Sequence, residues 1–126
     1  MNDNEAAIAF KEAFFYDDLG QFEKALKIRK TLEQAFPKHR LVLMALGNTY
    51  ENLRRLDEAE KYYREAVRLY PKEEFASKFL FHLLWDDDRE FWEEDRRDEA
   101  FEEMKRFQSL SHCEDYMEIV REINEE

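Results

Sequence analysis

Through the middle of the chain, apolar residues return every three or four positions. Leu43, Leu46, Gly47 and Tyr50 fall on one side of a helix. Ala59, Tyr62, Tyr63, Ala66, Leu69 and Tyr70 fall on one side of the next. Further along, Phe75, Phe79, Leu80, Leu83 and Leu84 make a third stripe, and Met104 and Phe107 continue a fourth. A last stripe, Tyr116, Ile119, Val120 and Ile123, follows Ser111-His112-Cys113-Glu114, which has the spacing of a capping box. The pattern predicts an all-α chain.

The stripes repeat. Tyr16 and Tyr50, Ala25 and Ala59, and Pro37 and Pro71 are each 34 residues apart. Leu19 to Ala25 and Leu53 to Ala59 fall in the same register. A period of this length with helical spacing inside it is a helix–turn–helix repeat. Ala13 and Gly47 take equivalent places, as do Ala25 and Ala59, and small residues there let two antiparallel helices approach closely. Gly20 lies in the turn within the first pair, and each proline follows a second helix, where it stops the helix. A third unit starts near Glu74, and Asp98-Glu99-Ala100 repeats Asp57-Glu58-Ala59. Tyr50 to Ala59 is 9 residues, but Leu84 to Ala100 is 16. The seven extra residues amount to about two helical turns, enough for each helix of the third pair to lengthen by about one turn without losing phase.

These residues resemble the tetratricopeptide repeat family. Residues 40–73 carry Leu43 where the family prefers Trp, then Leu46, Gly47, Tyr50, Ala59, Tyr63, Ala66 and Pro71. Residues 6–39 match at Ala13, Tyr16, Gly20, Phe22, Ala25, Leu32 and Pro37. Glu12 and Arg29 stand where the family is usually apolar; Arg29 either snorkels its head to water or reaches into a binding surface. The resemblance implies an all-α helical repeat array forming one domain over 1–126. It has three helix pairs at about 6–39, 40–73 and 74–111, and a capping helix at 112–126, wound as a short right-handed superhelix.

It also implies a concave face built from the first helix of each pair, where extended peptides or helices bind. That face would show Phe10, Phe14 and Asp17, then Leu41, Met44, Asn48 and Glu51, then Phe75, Lys78, His82 and Trp85. Some relatives clamp a peptide carboxylate there with Lys, Asn and Arg. Here Phe10, Phe14 and Ala45 occupy such places, so an apolar partner segment is favoured.

Composition narrows the picture. Two glycines and two prolines are too few for a sandwich or barrel, which needs turn residues roughly every 8–12 positions. The single Cys113 excludes an internal disulfide. The start, Met-Asn-Asp-Asn-Glu, is not a secretory signal, and no apolar run approaches the roughly 18 residues of a membrane span. A cytoplasmic protein is expected. The net charge of −11 falls entirely on residues 72–126, which hold 19 acidic and 8 basic residues, whereas residues 1–71 hold 12 of each. Such a surface repels nucleic acid and anionic lipid and attracts a basic partner.

No enzymatic chemistry, cofactor or metal is expected. His39, His82 and His112 are scattered, and Cys113 lies in an acidic neighbourhood unsuited to a thiolate. Asp86-Asp87-Asp88 begins like a calcium loop, but Phe91 replaces its glycine and Arg97 its final glutamate. The stretch from Asp86 to Glu99 holds nine acids against three arginines, with Phe91 and Trp92 inside it. The aromatic pair either covers the end of the array or, ringed by Asp86, Asp87, Asp88, Glu90, Glu93, Glu94 and Asp95, anchors a cationic protein surface. Three functions fit: an adaptor taking a peptide or helix in its groove, an acidic inhibitor or immunity-type protein neutralising a basic effector such as a toxin, and a chaperone for a secreted substrate. The chain is expected to be a monomer or a weak homodimer.

Overall fold

The computed structural model describes residues 1–86 and 94–125, the side chains of residues 123 and 125 excepted. Among the described residues there are seven α-helices and no strand: α1 (Asp3–Asp18), α2 (Phe22–Ala35), α3 (Arg40–Asn52), α4 (Leu56–Leu69), α5 (Glu74–Trp85), α6 (Arg97–Gln108) and α7 (Glu114–Glu125). They fall into two compact units, Met1–Leu69 and Tyr70–Glu126.

In the first unit, α1 packs on α2, α2 on α3, and α3 on α4. Helix α1 is opened by Asn2, whose side chain accepts from the Glu5 N–H at 2.9 Å. Its end is closed by Gly20 at φ +72°, where the N–H groups of Gly20 and Gln21 donate to Asp17 O and Tyr16 O. The same turn recurs 34 residues later with Arg54 at φ +60°: Arg54 and Arg55 donate to Glu51 O and Tyr50 O. The repeat therefore preserves a left-handed backbone position even where it has no glycine to fill it.

The small residues sit where the helices meet. Ala13, Ala25, Ala59 and Ala66 are all fully buried. A Cβ at Gly47 would strike the ring of Tyr63, which is itself fully buried. Pro37 and Pro71 follow α2 and α4 by two residues.

The second unit buries Leu80, Phe81, Leu83, Leu84, Ala100, Met104, Phe107 and Tyr116. Tyr116 of α7 packs edge-on against Phe81 at 5.4 Å and Phe107 at 5.9 Å, so α7 covers the α5–α6 pair. Two expectations are corrected here. Helices α5 and α6 have 12 residues each and are not lengthened relative to α3 and α4, with 13 and 14. The extra residues fall between the helices, and Asp86 leaves α5 in an extended conformation. Nor does Ser111 cap the last helix, which begins three residues later at Glu114. The chain entering it is held instead by Gln108, whose side-chain oxygen accepts from the Cys113 N–H at 3.1 Å.

Candidate functional site

The first-helix face of the first unit is organised around Arg29. Its guanidinium meets the Asp17 carboxylate through both terminal nitrogens, at 2.9 and 2.5 Å, and donates to Thr49 Oγ at 2.7 Å. Thr49 in turn donates to Ala45 O at 2.8 Å. Arg29 is 3% exposed, so its head does not snorkel to water. The physical reason is local: Asp17 on α1 and Thr49 on α3 give the charge its partners inside the protein, and it has no need to reach water. Only its Nε is buried without a partner.

On this base lies Phe14, 56% exposed, with its ring 5.1 Å from the guanidinium carbon. A cation held beneath an aromatic face fixes the ring in place while leaving its outer side open. Phe10 is half-buried, and Met44 is buried at 6% exposure and offers a partner little area. Asn48 and Glu51, both half-buried, lie on either side of the Tyr63 hydroxyl, at 2.5 and 2.9 Å. A phenol has one proton and can serve only one acceptor. Turning the Asn48 amide so that its nitrogen donates to Tyr63, while Tyr63 donates to Glu51, satisfies all three groups. Burial and the neighbouring Glu51 carboxylate both push the Tyr63 hydroxyl pKa well up, so it stays a neutral donor. Among the described residues no ion pair reaches Glu51.

In the second unit the expected groove residues are largely committed elsewhere. Lys78 donates to Asp115 of α7 at 2.8 Å, a contact that raises the lysine pKa and lowers that of the carboxyl. Trp85 stacks on Phe81 at 5.7 Å, meets Phe101 edge-on at 5.1 Å and carries Arg97 over its ring at 5.0 Å; it belongs to the packing of α5 on α6. His82 and Phe75 remain exposed.

Residues 41–73 match the family model of the tetratricopeptide repeat. The chain carries a tetratricopeptide repeat. A solved structure of a MamA mutant superposes with a TM-score of 0.67, at 23% identity, over 89% of this chain and 76% of that one. That likeness is one of fold. No curated protein matches.

The tetratricopeptide pattern separates scaffold from surface. Its positions Leu43, Leu46, Gly47, Tyr50, Ala59, Tyr63 and Ala66 are all buried. The exposed or half-exposed Phe14, Asn48 and Glu51 lie off the pattern. The tetratricopeptide motif does not contain the Arg29–Asp17 pair. The signal was present, since an arginine at a habitually apolar place demands a carboxylate nearby.

Of the acidic surface, Asp86, Glu94 and Asp95 are exposed, and Asp95 accepts from the Arg97 N–H at 3.0 Å, near the start of α6. Asp87, Asp88, Glu90, Phe91, Trp92 and Glu93 lie outside the described residues. No group of three His, Cys, Asp or Glu able to hold a metal occurs among the described residues. Burial raises the Cys113 thiol pKa, which makes a thiolate nucleophile unfavourable there. Among the described residues no helix is long and apolar enough to cross a membrane.

Proposed function

We propose that this chain is a non-enzymatic protein-interaction module whose binding surface is the first-helix face around Phe14. The observation that supports it is an exposed aromatic ring fixed from below by the buried Arg29, whose two terminal nitrogens are held by Asp17 and Thr49. Such a platform loses little conformational freedom when a ligand lands on it. The partner is a peptide or helix that sets an apolar side chain on Phe14. A basic or amide group on the same segment suits Asn48 and Glu51, which are half-buried beside it and keep acceptor capacity beyond their bonds to Tyr63. In this reading the chain acts as a cytoplasmic adaptor, and a chaperone role uses the same surface on an apolar segment of its substrate.

The acidic-inhibitor reading rests on a different observation, the confinement of the −11 charge to residues 72–126. The two separate in one experiment. The chain is used to capture partners from its native host lysate, with low- and high-salt washes in parallel, beside a Phe14→Glu variant and a Glu94→Lys/Asp95→Lys variant. The groove reading predicts a partner that survives high salt and is lost with Phe14→Glu. A basic partner that leaves in high salt and ignores Phe14→Glu would replace it with the inhibitor reading.

A further inference from the structure

Helix α1 has a second apolar face, on the side away from its buried residues. Ala6 and Ala13 are buried against the rest of the first unit. Ile8, Phe15 and Leu19 are seven and four residues apart, so they form one stripe along the opposite side of the helix. They are 65, 57 and 53% exposed. An amphipathic surface helix keeps that side polar, and a helix apolar on both sides has both sides covered.

Two charges of opposite sign lie beside the stripe. Lys11 is the one basic residue of α1, and Asp18 lies two turns away along the same edge. That separation of about 10 Å is too long for the two to pair within their own helix. Asp18 also sits in the last turn, where the helix dipole disfavours a carboxylate, and among the described residues neither Lys11 nor Asp18 enters an ion pair.

We propose that the α1 stripe is a self-complementary interface occupied by a second copy of this chain, packed antiparallel about a two-fold axis near Phe15. In an antiparallel pair the same edges of the two helices face each other. Lys11 of each copy then comes opposite Asp18 of the other, Ile8 comes opposite Leu19, and the two Phe15 rings meet near the axis. Both unpaired charges of each copy gain one partner, two symmetric pairs in all, and no like charges are brought together along that edge. A closed two-fold pair of this kind also ends the association at two. The exposed stripe offers on the order of a few hundred Å² per copy, below the roughly 800 Å² per partner of a standard stable interface. The dimer is therefore weak, with a dissociation constant on the order of 10–100 µM.

Sedimentation equilibrium of the full chain over about 1–500 µM at low salt tests this. The wild type dimerises across that range, and Phe15→Asp abolishes association. Lys11→Glu and Asp18→Lys each weaken it about fivefold or more, since each replaces two attractive pairs with two repulsive ones. The double exchange Lys11→Glu/Asp18→Lys restores it. All of these positions are exposed, and circular dichroism confirms that each variant is folded. A wild type that stays monomeric, a dimer indifferent to Phe15→Asp, or a double exchange no better than its parents would overturn the proposal.

Discussion

Gly47→Ala tests the packing that holds the first unit together, because two effects of known sign oppose each other there. In the middle of an exposed helix, alanine is better than glycine by about 1 kcal/mol. At position 47 the added methyl would lie 2.5 Å from Cδ1 of Tyr63 and closer still to Cε1. The ring has nowhere to swing. It is fully buried, and its hydroxyl is held by Asn48 and Glu51. Helix α3 must instead move off α4, an overpacking cost of about 1–3 kcal/mol or more. The clash wins, and the variant loses about 1–2 kcal/mol net, or roughly 3–8 °C in melting temperature for a chain of this size. Urea denaturation followed by circular dichroism measures it. The control is a double-mutant cycle. With Tyr63→Ala already in place the clash is gone, and Gly47→Ala should then stabilise by up to about 1 kcal/mol. A single Gly47→Ala that raises stability would refute the close approach of α3 to α4 and the register built on it.

Other outcomes follow from the same structure. Arg54→Gly relieves a left-handed residue in the α3–α4 turn and should stabilise by about 0.5–1 kcal/mol, while Gly20→Ala at the equivalent turn should cost about 1 kcal/mol, both read from denaturation midpoints. Arg29→Ala strips the Asp17 carboxylate, whose side chain is 22% exposed, of its cation; partial solvation softens the loss to about 2–4 kcal/mol. Arg29→Lys should lose less but not recover fully, because an ammonium cannot reproduce the two-pronged contact. The Lys78–Asp115 pair holds α7 with a carboxyl pKa below its ordinary 3.8 and an ammonium pKa above its ordinary 10.5. Its contribution is thus constant between those values, lost as pH falls through the lowered carboxyl pKa, and lost again as pH rises through the raised lysine pKa. Hydrogen exchange of α7 amides should show Asp115→Asn opening faster than wild type at neutral pH and equal to it in acid; a gap unchanged by pH would remove the pair from α7's anchorage.

The legible parts of this sequence were those fixed by local rules. The 34-residue period, the buried Ala25, Ala59 and Ala100, and the turn at Gly20 follow from spacing and backbone sterics alone. What escaped depended on partners distant in sequence. Arg29 is buried because Asp17, 12 residues before it, and Thr49, 20 residues after it, converge on its head. Lys78 was expected on an open face, but Asp115, 37 residues on, takes its charge. Trp85 has helical spacing that suits a groove, yet Phe101 and Arg97 draw it into the α5–α6 packing. Periodicity identifies which side of a helix is apolar; it does not identify which apolar side another helix will claim.

The proposed function stands on Phe14 and its neighbours as a peptide-binding surface. Selection of a random peptide library displayed on phage against the immobilised chain tests it most directly, with Phe14→Glu and Glu51→Lys as parallel baits. The expected result is a family of peptides sharing an apolar residue at fixed spacing from a basic or amide residue, lost on Phe14→Glu and shifted away from basic residues on Glu51→Lys. Peptides bound equally well by all three proteins would contradict it.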